Sequence, residues 1–393
     1  MSGSPAVPLA ERVRGEFAKR HGGDSARVFF APGRVNLIGA HLDYSGGDVL
    51  PLAVDRGIYV AARLRSDDRV RLCSLDQTLA VEVTLPEIGS HQQPGRGWAN
   101  YPLGVLHVLA EHTGESVGAD LVFGGDLPMA SGLSSSAALE VATATALDAL
   151  LGTRLDPLTL AQIAHRAEND YVGLQCGIMD QFASAMGRAD HALLLHCHTQ
   201  TFEHVPLDHR AFEVLVMDSR KPRRLAATGF NQRVRECQQA HAALRAAGID
   251  RPCLAAYEPA ELERVESVLD EVLLRRARHV VSEMQRVDSA VKALRRGDVA
   301  AFGACLTASH ASTARNYDVS CDELDELTGA ACACPGVFGA RLTGAGFGGC
   351  AIALVVPGRT EDVAEAVAAR YESRFAVTPG FEVLRAGSGP REL

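Results

Sequence analysis

The segment that most constrains this chain is Gly132-Leu133-Ser134-Ser135-Ser136-Ala137-Ala138. The apolar run Leu121-Val122-Phe123 and Pro128 precede it, and the alanine-rich residues 139–144, free of Gly and Pro, follow it as a predicted helix. A glycine followed by three small hydroxyl residues at a helix start describes an anion site. The first N–H groups of a helix lack internal partners, point outward and carry the positive end of the helix dipole. Small side chains let a phosphate approach, and hydroxyls add donors or a metal ligand. A lone Gly-Leu-Ser would read as an ordinary serine cap; three serines behind Pro-Met-Ala-Ser-Gly point to the anion.

Size and charge narrow the setting. A chain of 393 residues holds one large or two medium domains with a real core. The net charge of −9 argues against nucleic acid or an anionic membrane as partner. Lys19, Lys221 and Lys292 are the only lysines, so arginine carries most of the positive charge. No stretch approaches a membrane span, and Met1-Ser2-Gly3-Ser4-Pro5 lacks a signal-peptide pattern, so the expected setting is cytoplasmic. The expected assembly is a monomer or weak dimer. Ten cysteines invite a metal or disulfide reading. However, His196-Cys197-His198 and Cys332-Ala333-Cys334 lack a second pair at zinc-finger spacing and read as structural.

Along the chain, residues 9–20 read as a helix, 28–31 as a strand, and 58–64 and 70–74 as strands joined by a turn at 66–68. A helix near 98–111 and a strand at 120–123 follow. Asp156-Pro157 supplies an N-cap and a first-turn proline for a helix reaching about Asp170. Strands at 192–196 and 212–218 flank Leu207-Asp208-His209, the predicted boundary between domains 1–208 and 209–393. The second half reads as helices at 231–247, 260–273, 277–297 and 299–315, then a strand pair around a glycine loop, a helix at 361–375 and a last strand. The fold class is α+β, two halves with a cleft between them.

Two further segments carry chemistry. Residues 31–44, Ala-Pro-Gly-Arg-Val-Asn-Leu-Ile-Gly-Ala-His-Leu-Asp-Tyr, mix Arg34, Asn36, His41 and Asp43 with glycines and have neither a strand nor a helix period. They read as a glycine-punctuated turn lining a small polar ligand. Thr343-Gly344-Ala345-Gly346-Phe347-Gly348-Gly349-Cys350 satisfies G-x-G-x-x-G, but a strand follows it where a dinucleotide fold needs a helix. No Gly-Lys dipeptide occurs, which removes the Walker loop as well.

Together the three segments resemble the GHMP kinases and, within them, the galactokinases, over residues from about 31 to 356. Cys176-Gly177-Ile178-Met179-Asp180 is similar to the stretch carrying that family's catalytic aspartate, and Asn316-Tyr317-Asp318 with the glycine loop matches its C-terminal motifs. The resemblance implies an N-terminal domain like domain 2 of ribosomal protein S5, a ferredoxin-like C-terminal domain, and ATP and sugar in the cleft. It implies that Asp180 takes the proton of the sugar's C1 hydroxyl and that Arg34 stabilises developing charge and keeps that aspartate ionised. Ser136 and Glu168 match Mg²⁺ ligands, and Gly132, Leu133, Ser134, Ser135, Ser136 and Ala137 match the phosphate loop. Asp43, His41 and Gly177 match sugar contacts, while Gly344, Gly346 and Gly348 form a structural loop. Phosphoryl transfer by positioning and fixed charge needs no loop lysine.

The chain departs from the family around the sugar. Ala40 stands where galactokinases have the glutamate that bonds the C6 hydroxyl, Phe230 replaces a tyrosine, Gly229 often a glutamate, and Arg224 a small hydroxyl residue. Ala40, Phe230 and Arg224 are therefore candidate sugar residues. The leading expectation is a sugar 1-kinase of galactokinase type. The alternative is a kinase for galacturonate or another C6 variant, since plant galacturonokinases resemble this chain at Gly39-Ala40-His41. A non-catalytic sugar sensor and a mevalonate or homoserine kinase are weaker, because Ser134 to Ala138, Arg34, Glu168 and Asp180 are intact and Asp43-Tyr44 is present.

Overall fold

The computed structural model describes residues 8–23, 25–127, 132–221 and 226–393. The strands are β1 (Arg27–Ile38), β2 (Asp48–Leu64), β3 (Arg69–Ser74), β4 (Val81–Thr84), β5 (Ala119–Gly125), β6 (His191–His196), β7 (Thr201–Pro206), β8 (Glu213–Asp218), β9 (Val337–Leu342), β10 (Cys350–Val355), β11 (Gly380–Leu384) and β12 (Arg391–Glu392). One sheet runs β12-β1-β2-β5-β3-β4, with β6 on the near end of β2 and β7 beside β6. The other runs β11-β8-β10-β9, antiparallel throughout. Among the described residues no helix is long and apolar enough to cross a membrane.

Local chemistry sets several boundaries. Asp156 caps the Pro157–Arg166 helix through the N–H of Thr159 at 3.0 Å, with proline in its first turn. The Ser135–Leu151 helix starts within the serine run and ends on Gly152 in the left-handed conformation; it packs on β1 and β2. The single helix expected over 260–273 is instead broken. Pro259–Val265 stops, and Glu271–Arg295 restarts because Asp270 caps it through the N–H of Leu273 at 2.8 Å.

The segment read as a turn from Pro32 onward is strand through Ile38, paired with β2. Its pairing shifts register between Pro32 and Arg34 and again between Asn36 and Ile38, and the strand is buried on both faces. Irregular register and two-sided burial erase the alternation that identifies a strand in sequence. β7 was not anticipated; it is an exposed edge strand with little apolar patterning.

Arg341 and Thr343 help to join the halves behind the site. Arg341, fully buried on β9, donates to the carbonyls of Asn36 and Leu37 at 3.3 and 3.0 Å, and Thr343 Oγ1 donates to that of Asn36 at 3.1 Å. The C-terminal tail also returns to the first sheet, where β12 pairs with β1 at Phe29 and Phe30.

Candidate active site

The register shift in β1 turns Arg34 toward the start of the Met179–Ala185 helix. Its Nε and Nη2 donate to the two carboxylate oxygens of Asp180 at 2.6 and 2.7 Å, a bidentate pair. Nη1 donates to the carbonyl of Gly132 at 2.7 Å, and the Arg34 N–H to that of Leu133 at 3.0 Å. The second oxygen of Asp180 also accepts from the hydroxyl of Ser134. The serine loop, cation and carboxylate thus form one unit. Gly33 permits it, since a methyl group there would lie 2.6 Å from the Leu133 carbonyl oxygen.

Ser134 adopts a left-handed backbone (φ 56°), and the helix begins one residue later. Ser136, in its first turn, is hydrogen-bonded to Glu168, which sits in the wide π turn Ala167–Val172. Glu168 also accepts from Gln181 Nε2 at 2.6 Å and from the Cys176 thiol at 3.3 Å. Gln181 donates as well to the fully buried Glu140, at 3.0 Å. Burial pushes the Glu168 and Glu140 carboxyls up; Asp180 raises Glu168 further, and Glu168 and Asp180 raise Glu140. A hydroxyl and a carboxylate side by side at a helix start are the hard oxygen donors Mg²⁺ prefers, and a dication would offset the repulsion among these acids.

A cavity of 230 Å³ opens beside this unit. Arg34, Asn36, His41, Asp43, Gly177 and Asp180 line it from the first half, and Phe230, Gly344 and Ala345 from the second. Ser136 and Glu168 reach it too. Burial, then the neighbouring Asp180, pushes the Asp43 carboxyl up to about 7. Burial, then His279 and Arg341, brings His41 down to about 3, so its ring is neutral near pH 7.

The candidate sugar residues thus divide. His41, Asp43, Gly177 and Phe230 line the cavity, and Ala40 does not. Ala40 is 1% exposed; its N–H donates to Glu283 Oε1 at 3.0 Å and its carbonyl accepts from His279 Nε2 at 3.0 Å. Arg224 lies outside the described residues. At Gly229 a methyl group would meet the Phe347 ring at 2.7 Å, so an aromatic fills the space a larger side chain would need.

The glycine loop works through close approach. A methyl group at Gly346 (φ 78°) would fall 2.2 Å from the carbonyl oxygen of Val319, which accepts the Phe347 N–H at 2.7 Å. Gly344 lines the cavity and Gly348 lies against Lys221.

Sequence reasoning missed the buried support of the sugar segment. Glu283, fully buried, accepts the N–H groups of Gly39 and Ala40 at 3.1 and 3.0 Å, the Ser309 hydroxyl at 2.6 Å and Arg286 Nε at 2.6 Å. One signal was available: His279, Glu283 and Arg286 recur at helical spacing, where a buried helix face usually carries apolar side chains.

Residues 100–188 match the GHMP kinases N terminal domain and residues 290–377 the GHMP kinases C terminal domain. Mevalonate kinase shares the fold at a TM-score of 0.64 and 18% identity, over 91% of this chain and 98% of that one. Fold and site together define a GHMP kinase. Residues 15–64 match the galactokinase galactose-binding signature. The galactokinase of Exiguobacterium sibiricum is 42% identical over 96% of both chains, and that of Bacillus subtilis 38% identical over 98% of this chain and 99% of its own. The crystal structure of Lactococcus lactis galactokinase complexed with galactose superposes at a TM-score of 0.94, with 37% identity over 98% of this chain and 100% of that one. The chain belongs to the galactokinase family of ATP-dependent sugar kinases.

Proposed function

We propose that this kinase transfers the γ-phosphoryl group of ATP to the C1 hydroxyl of galactose, giving galactose 1-phosphate. The bidentate Arg34–Asp180 pair, set between the helix start and the 230 Å³ cavity, carries this reading. Asp180 accepts the proton of the C1 hydroxyl as the oxygen attacks phosphorus. Arg34 holds the carboxylate in place and faces the charge that develops on the transferred group. The N–H groups opening the Ser135–Leu151 helix receive the phosphates, and the Ser134 hydroxyl donates to the same Asp180 oxygen as Arg34 Nη2 and helps to fix it.

Ser136 and Glu168 would hold Mg²⁺, which when bound supplies positive charge to the phosphate oxygens. Asp43 and His41 grip ring hydroxyls, with Gly177 and Phe230 shaping the wall. In this reading the chain comprises two domains, 1–208 and 209–393, divided in the connection between β7 and β8. The test is galactose-dependent ADP release with identification of the phosphorylated carbon, run in parallel with galacturonate, fucose and arabinose. Galactose as best substrate, phosphorylated at C1, is expected. Phosphorylation at another carbon, or none, overturns the reading.

A further inference from the structure

Behind the sugar side of the cleft, groups from three elements form one hydrogen-bonded line. His41 Nδ1 lies 2.8 Å from Tyr44 Oη, Tyr44 Oη 2.6 Å from Tyr317 Oη, and Tyr317 Oη 3.1 Å from the Cys237 sulfur. The line runs from the loop after β1 to the wide turn Thr313–Tyr317 and on to the Ala226–Ala246 helix. Tyr317 and Cys237 are buried, and of the four groups His41 alone lines the cavity described above. Its ring packs against Tyr317 and Phe230, with centroids 4.8 and 5.8 Å away.

Each hydroxyl in such a line has one proton to give, so the direction of one bond sets the others. In one direction His41 carries its proton on Nδ1, and the line ends by donating to sulfur, a weak acceptor. That direction also sets the ring N–H against a phenol oxygen, a poorer match than a phenol donating to the basic ring nitrogen; Nε2 itself is buried with no hydrogen-bond partner among the described residues. In the other direction the Cys237 thiol donates to Tyr317, Tyr317 to Tyr44 and Tyr44 to His41 Nδ1. The ring proton then lies on Nε2, the nitrogen left without a partner among the described residues, on a side chain that lines the cavity. Burial keeps the ring neutral, so there is one proton to place. Only the second direction matches each donor with a good acceptor.

We propose that Cys237, Tyr317 and Tyr44 hold His41 in its Nε2–H tautomer, so that the cleft presents a donor to a sugar oxygen beside the acceptor Asp43. The three are positioning residues; they act through His41. The consequence for the sugar rests on the reading that galactose occupies this cavity.

The test uses the full chain labelled with ¹⁵N-histidine, the His41 signals being identified by their loss in His41→Gln. Without sugar, wild type should show an unprotonated Nδ1 and a protonated Nε2. Tyr44→Phe should shift both toward averaged tautomers and raise galactose KM about fivefold, the effect of one hydrogen bond, with ATP KM unchanged. Cys237→Ser, which keeps a donor, should hold the wild-type tautomer, and Cys237→Ala should loosen it. A protonated Nδ1 in wild type, or an unaltered tautomer in Tyr44→Phe, overturns the proposal. If the tautomer is as stated but saturating galactose leaves the His41 signals unmoved, the placement of the sugar fails instead.

Discussion

The carboxylate of Asp43 lies against the α-carbon of Gly177: a methyl group there would fall 2.1 Å from Oδ2 and 2.4 Å from Cγ. Glycine is needed here for space, because any side chain would displace the acid that lines the cavity. Gly177→Ala should raise galactose KM by about 10- to 100-fold, the effect of one lost charge-assisted hydrogen bond, with ATP KM little changed. Steady-state kinetics with each substrate varied in turn checks this, and equal effects on both substrates would count against it.

Asp180→Asn should lower kcat by about 10²- to 10⁴-fold, the usual range for loss of a general base, while ATP binding persists. Binding is read by calorimetry. A variant with half of wild-type turnover would remove Asp180 from the role of base.

Ser136→Ala and Glu168→Gln should each raise the Mg²⁺ concentration that gives half-maximal activity, since each removes or weakens a hard oxygen donor. Activity titrated with Mg²⁺ at fixed ATP is the measurement. Unchanged curves in both variants would take the pair out of the metal site.

Because burial and Asp180 push the Asp43 carboxyl up to about 7, it is protonated in mild acid, where it would accept a sugar hydroxyl more weakly than the carboxylate does. For galactose, kcat/KM should therefore rise between about pH 6 and 8, and Asp43→Asn should abolish this limb. Stability moves the other way. The folded value lies above the unfolded one of about 3.9, so this group's contribution is complete below about pH 4 and is lost as pH rises through 7. Urea unfolding across that range, compared with Asp43→Asn, separates the two effects.

Glu283→Ala should cost about 3–5 kcal/mol, because it strands the N–H groups of Gly39 and Ala40 and one charge of a buried network. Glu283→Gln, which keeps an acceptor oxygen, should cost clearly less. Denaturant midpoints give both values. Equal losses would mean that the charge, and not the backbone clamp, is what matters.

What the sequence determined by itself is the local chemistry. The Asp156-Pro157 start, the serine run that opens a helix and the strand pair around the glycine loop all depend on residues a few positions apart, so their signals survive in a linear reading. The same holds for the residue types of Arg34, His41, Asp43 and Asp180, legible as site residues because no core period explains them. The tertiary structure decided the rest. Arg34 meets Asp180 across 146 positions, and Glu283 reaches Ala40 across 243. Partners so far apart leave no periodic trace, because each is fixed by strand register and helix packing. The same distance effect hid the Tyr44–Tyr317 contact, 273 positions apart, and the withdrawal of Ala40 from the cavity. Residues 32–38 looked like a turn for a related reason: two register shifts and burial on both faces removed the alternation, and only pairing with β2 makes them a strand.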